Sequence, residues 1–149
     1  MPRYAIVEAP SALGHVPEHL GVERAPEVLL GAGLADGLAA RRAGRVEAAG
    51  YSAGRDSETQ IMNPQAIRDY STLLADAVTA VLGEGEFPVV LGGDCSILLG
   101  TMLALRRADV TGCCTSMATP TITSPRSIRS TARHQPATLR SQPAAALTS

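Results

Sequence analysis

Lysine is absent from the 149 residues, and all 13 basic side chains are arginine. No apolar run approaches the ~18–20 residues of a membrane-spanning helix, so no membrane role is expected. The opening segment Met1–Pro10 is too short and too interrupted for a secretory leader, which makes the expected location cytoplasmic. Cysteine is scarce: Cys95, Cys113 and Cys114, two of them adjacent, do not make a disulfide framework. A basic excess is also missing. Thirteen arginines stand against 14 acids, a net charge of −1, so no nucleic-acid or polyanion partner is expected. What remains is a chain of single-domain length, 45% apolar, with enough such residues for a core.

The charge is unevenly spread. Residues 1–107 hold 9 Arg against 13 acids, whereas residues 108–149 hold 4 Arg and one acid, Asp109. The later segment is largely Ala, Thr, Ser, Pro and Arg. Its large aliphatics, among them Val110, Ile122, Ile128 and Leu139, follow neither a helical nor a strand period. Such a stretch buries too little apolar surface to offset its ordering entropy. Residues 108–149 are therefore expected to be a disordered or non-native tail, and residues 1–107 to carry the fold.

That first part alternates strand and helix. Tyr4–Val7 is a short apolar run closed by Pro10, the signature of a first strand. A Gly/Pro-rich loop follows, and its His15 and His19 are expected at the loop surface rather than as ligands. Pro26 suits the first turn of a helix over Ala25 to Leu30, with a second piece over Leu34–Arg42. Arg45–Tyr51 is expected to be the second strand. Asn63 then predicts a helix N-cap with Pro64 at the first position. Ile67, Tyr70, Leu73, Leu74, Ala77, Val78, Val81 and Leu82 form the apolar stripe of that helix, and Gly83 and Gly85 end it. Phe87–Leu91 is a continuous apolar run, as in a parallel strand buried on both faces. Ile97–Arg107 predicts a further helix. This order defines an α/β fold with a parallel sheet.

Chemistry in such a sheet sits at the carboxyl ends of the strands. The candidate is Gly92-Gly93-Asp94-Cys95-Ser96. Two glycines let backbone approach closely, and the following helix presents free N–H groups. The plainer reading is a strand-to-helix turn in which Asp94 caps the helix and Cys95 is a small buried apolar residue.

The segment Phe87–Met102, FPVVLGGDCSILLGTM, resembles the corresponding strand, turn and helix of the arginase/agmatinase/formiminoglutamase (ureohydrolase) family, whose turn reads Gly-Gly-Asp-His-Ser. Gly21–Leu34, GVERAPEVLLGAGL, resembles an upstream family segment, and Asn63–Leu82 sits where a family helix sits. The resemblance implies a three-layer α/β/α fold with a parallel sheet, incomplete in this chain. It implies hydrolysis of a guanidino or amidino C–N bond in a small-molecule substrate, with two Mn²⁺ ions sharing a bridging hydroxide. It also implies that Cys95 occupies the position of a metal-ligating His, with Gly92, Gly93, Asp94 and Ser96 as the supporting motif. A thiolate is a softer donor than Mn²⁺ prefers. The family's other ligands lie downstream, in an Asp-x-His-x-Asp motif and a later pair of Asp. After Asp109 this chain has no Asp or Glu, and its one later His is His134.

The genetic code offers a reason. Back-translating Thr111–Ile122 and reading from third bases permits Leu-Leu-Tyr-Ile-Asp-Gly-His-Ala-Asp-Tyr-Tyr. Met117 followed by Ala118 forces the Gly, and Cys113 followed by Cys114 forces the second Leu. That string is an apolar strand followed by the absent ligand motif. The missing lysines fit a GC-rich gene, whose shifted frames yield Ala, Arg, Pro, Thr and Ser. The expectation is a ureohydrolase fragment, inactive as this chain, with a frameshifted tail from about residue 108. Its incomplete sheet would leave an apolar edge open to self-association. Two other readings are a thiol enzyme using Cys95 as nucleophile and a non-catalytic interaction fragment.

Overall fold

The computed structural model describes residues 2–110, all inside one compact unit, Met1–Cys114. The expectations for the tail beyond Val110, including Cys113, Cys114 and His134, lie outside the described residues.

Three parallel strands, β1 (Tyr4–Ala9), β2 (Arg41–Arg45) and β3 (Phe87–Gly92), form a sheet in the order β2-β1-β3. Between β1 and β2 run two short 3₁₀ turns, Pro17–His19 and Val22–Arg24, and the helices α1 (Ala25–Gly31) and α2 (Leu34–Gly37). The long helix α3 (Pro64–Gly83) connects β2 to β3, and α4 (Ile97–Arg107) follows β3. The α/β expectation holds, and the Phe87–Leu91 and Ile97–Arg107 expectations match β3 and α4 to within a residue.

The central strand explains the layers. β1 is buried from Ala5 to Ala9, and its side chains alternate between the two faces of the sheet. Ala5, Val7 and Ala9 pack against Tyr70, Leu74, Ala75, Val78 and Val81 of α3 and Ala104 of α4. The two alanines bring α3 close to the sheet. On the opposite face, Glu8 shares a shallow cavity of about 450 Å³ with Glu27, Leu30 and Gly31 of α1. Helices thus lie on both faces. α3 and α4 touch closely at Gly100, where an added Cβ would fall 2.8 Å from the Ser71 carbonyl oxygen and 2.9 Å from Leu74 Cβ.

Three expectations need correction. The second strand is Arg41–Arg45, not Arg45–Tyr51, and the second helical piece ends at Gly37 rather than Arg42. The cause is the charge buried beside it. Glu8 is 4% exposed, and its carboxylate requires partners from the adjacent strand. Arg42 supplies one at 2.5 Å and Arg45 a second at 3.5 Å. Val46 and Tyr51, which made the later segment look like a strand, lie beyond it. Asn63 does stand before Pro64, but it is no side-chain cap. Its backbone is left-handed (φ 46°), and its amide ties two loops together.

Candidate functional site

The Gly92–Ser96 turn lies at the carboxyl ends of β3 and β1, where the loop leaving β1 passes directly over it. The packing there is close. A Cβ on Gly93 would lie 2.1 Å from the Ser11 carbonyl oxygen and 3.0 Å from Glu23 backbone atoms, so glycine is required by proximity. The Asp94 N–H donates to that same Ser11 carbonyl at 3.0 Å.

Asp94 is 4% exposed, and its carboxylate faces inward. One oxygen accepts the Gly14 N–H at 2.6 Å. The other accepts the Ser96 N–H at 3.0 Å and the Ser96 hydroxyl at 2.5 Å. The Ser11 and Ser96 hydroxyls lie 3.3 Å apart, within hydrogen-bond reach. The Gly14–Asp94 and Ser11–Ser96 contacts join residues 80 and 85 positions apart in sequence, and a buried carboxylate is stable only when satisfied in this way. From the other side, the Asn63 amide donates to the Leu13 carbonyl at 2.9 Å and accepts the Ser52 N–H at 2.6 Å. The Tyr51 hydroxyl donates to the His15 carbonyl at 3.2 Å. The loop Ser11–His15 is therefore clamped between β3's turn and the residues preceding α3.

The structure separates the two acidic and thiol groups that the sequence placed side by side. Asp94 is a buried clamp, whereas Cys95 is an exposed free thiol. The plainer reading of Cys95 as a buried apolar residue is thereby corrected, since its side chain projects from the turn. The N-cap position belongs to Ser96, although Asp94 does satisfy the Ser96 N–H. His15 is half-buried in the loop after β1.

A pair of Mn²⁺ ions needs several hard or borderline donors converging on each ion. Among the described residues no group of three or more His, Cys, Asp or Glu side chains could hold a metal ion. Asp94, the acid nearest to Cys95 in sequence, already has both oxygens occupied by donors of the protein. The described residues thus do not fit a two-metal centre.

Sequence reasoning missed two features. The Glu8–Arg42–Arg45 cluster was hidden because nothing local pairs residues on separate strands. The reach of Asp94 to the Gly14 N–H across the sheet end was hidden for the same reason, whereas the bonds that Ser96 donates to Asp94 follow the Asx-turn pattern that the capping reading of Asp94 anticipated.

A sheet with this order and a Gly-Gly-Asp turn at the end of β3 defines a class of parallel α/β proteins that place their sites at strand carboxyl ends. The Arginase family profile matches residues 2–113, three quarters of the chain, and the chain belongs to the Arginase family. The arginase of Bacillus caldovelox superposes with a TM-score of 0.65 at 27% identity, over 72% of this chain and 38% of that one. The arginase of Bacillus cereus gives 0.60 at 24% identity, over 72% and 35%. That of Bacillus subtilis gives 0.58 at 24%, over 71% and 34%. The chain therefore spans little more than a third of the length of the arginases it resembles. Among curated proteins none matches. No helix of the described residues is long and apolar enough to cross a membrane.

Proposed function

We propose that this chain carries the first part of a metal-dependent ureohydrolase, an enzyme that hydrolyses a guanidino or amidino C–N bond, and that it is inactive as translated. The single observation that carries this reading is the Gly92–Ser96 turn, set at the strand ends inside a family match that stops at residue 113. The match stops within a few residues of the place where the genetic code permits Asp-Gly-His-Ala-Asp in a shifted frame. The ligands that the family draws from that region have no counterpart in the translated residues, since no Asp or Glu follows Asp109. Cys95 stands at the family's ligand position as a lone, exposed donor.

Two measurements test this. Sequencing the gene through codons 105–120 should reveal Asp-Gly-His-Ala-Asp in a shifted register, and its absence from both shifted registers ends the frameshift proposal. Incubating the chain with Mn²⁺ and either arginine or agmatine should release no urea above a Cys95→Ala control. Release above that control overturns the assignment as inactive.

A further inference from the structure

The two edges of the sheet are unlike. β2 presents Arg41, Arg42 and Arg45, and charged edges resist further pairing. β3 runs Phe87–Gly92 without a charge, and among the described residues it has one neighbour, β1.

The backbone of β3 shows what that open edge offers. The Phe87 N–H donates to the Arg3 carbonyl at 2.7 Å, and the parallel register with β1 runs unbroken from Tyr4–Phe87 to Ala9–Gly92. Peptide groups alternate sides along a strand, so those of Phe87, Val89 and Leu91 turn toward β1. Those of Pro88, Val90 and Gly92 turn outward. Pro88 has no N–H to offer and is tolerated because it faces the open side. The outward set is then a carbonyl at Pro88, a full donor–acceptor pair at Val90, and another at Gly92.

That set is self-complementary. We infer that β3 pairs antiparallel with β3 of a second copy about a two-fold axis through Val90, making one continuous six-stranded sheet. At the axis the two Val90 residues exchange both of their hydrogen bonds. On either side, each Gly92 N–H donates to the Pro88 carbonyl of the other copy. The one outward group without a mate is the Gly92 carbonyl, which faces the proline nitrogen. A two-fold axis normal to the sheet keeps like layers together, so α4 of one copy lies in the same layer as α4 of the other. Leu99 and Met102 of α4, 60% and 52% exposed, lie off the line of Gly100 and Ala104 that packs inward, and they supply apolar surface to that layer. The contact is isologous and closes at two copies. It rests on the proposal that residues beyond about 108 are out of frame and add no strand to β3.

The full chain is measured by light scattering on a sizing column and by amide exchange in NMR. The expected species has twice the chain's mass, and the Val90 and Gly92 amides gain protection as concentration rises. Val90→Pro removes the axial donor without touching a β1 bond. It should weaken dimerisation at least about tenfold, as expected for loss of two hydrogen bonds near 1 kcal/mol each. Circular dichroism of the same sample reports whether the variant folds. If it does not fold, the concentration dependence of the two native amides decides alone. A monomer at every concentration, a dimer that leaves both amides unprotected, or an open-ended series of oligomers each overturns the inference. Gene sequencing reports separately on the frameshift, so failure of one proposal is distinguishable from failure of the other.

Discussion

At the scale of single residues, the turn after β3 depends on what Gly93 lacks. Its missing Cβ would enter the space of the Ser11 carbonyl oxygen at 2.1 Å, and backbone on both sides leaves no flexible neighbour to yield. Gly93→Ala should therefore destabilise the fold by at least ~2 kcal/mol, as for other overpacked sites, and urea unfolding reads this directly. An effect under ~0.5 kcal/mol would mean that the loop after β1 can lift away. Tyr70 makes a second residue-scale case. Its hydroxyl donates to the Val46 carbonyl at 3.0 Å, and burial, followed by the nearby Asp94 charge, pushes its ionisation well above the ordinary value of about 10. The unfolded chain gives up this proton near pH 10 while the folded chain keeps it. Stability from this group is thus complete below about pH 10 and is lost as the pH climbs toward the folded value. Tyr70→Phe should cost about 1 kcal/mol at pH 7 through the lost hydrogen bond and should flatten the decline above about pH 10. An unchanged alkaline slope would assign that decline to other groups.

At the scale of elements, α3 and α4 meet where Gly100 lies against Ser71 and Leu74. Alanine is the better helix former by ~1 kcal/mol, so an isolated helix would gain from Gly100→Ala. Here the new methyl meets a backbone oxygen at 2.8 Å, and the substitution should instead lower the thermal midpoint, which calorimetry can check. The same elements show how far periodicity reaches. α3 and α4 were legible because a helix resting on a sheet must repeat its apolar residues every turn, and β3 because its run is continuously apolar. The expected burial of β3 on both faces is not met: among the described residues it is an edge strand, with Leu91 buried and Phe87 56% exposed. β2 was not legible. Its five residues contain three arginines and no large apolar side chain, since what it contributes is charge to neutralise Glu8 on β1. That demand is set by a residue more than thirty positions away, and no local pattern encodes it. The site divides the same way. Its position at the end of β3 follows from the glycines, whereas the inward turn of Asp94 and the exposure of Cys95 follow from the loop Ser11–Gly14 folding back across it.

At the scale of the whole molecule, the question is which functions survive when about a third of an arginase-type chain is present. The described part holds its own core and a fully bonded turn, so loss of ligands need not mean loss of fold. A metal that binds only the folded state raises stability by RT ln(1 + [L]/Kd), about 2.7 kcal/mol at a hundredfold excess over Kd. This chain offers the thiol of Cys95 and no convergent donors among its described residues, so millimolar Mn²⁺ should leave its thermal midpoint unchanged. A version translated from the same gene after a single-base correction near codon 107, read through to its next stop, regains Asp-Gly-His-Ala-Asp in the proposed frame. Its midpoint should rise with Mn²⁺, and urea release from a guanidino substrate should accompany the rise. Cys95→His in that corrected protein should strengthen the Mn²⁺ response, because imidazole suits this ion better than a thiolate does. If the corrected protein folds yet its midpoint ignores Mn²⁺, the shifted frame does not encode the ligands. The resemblance then extends to the architecture of the first three strands alone.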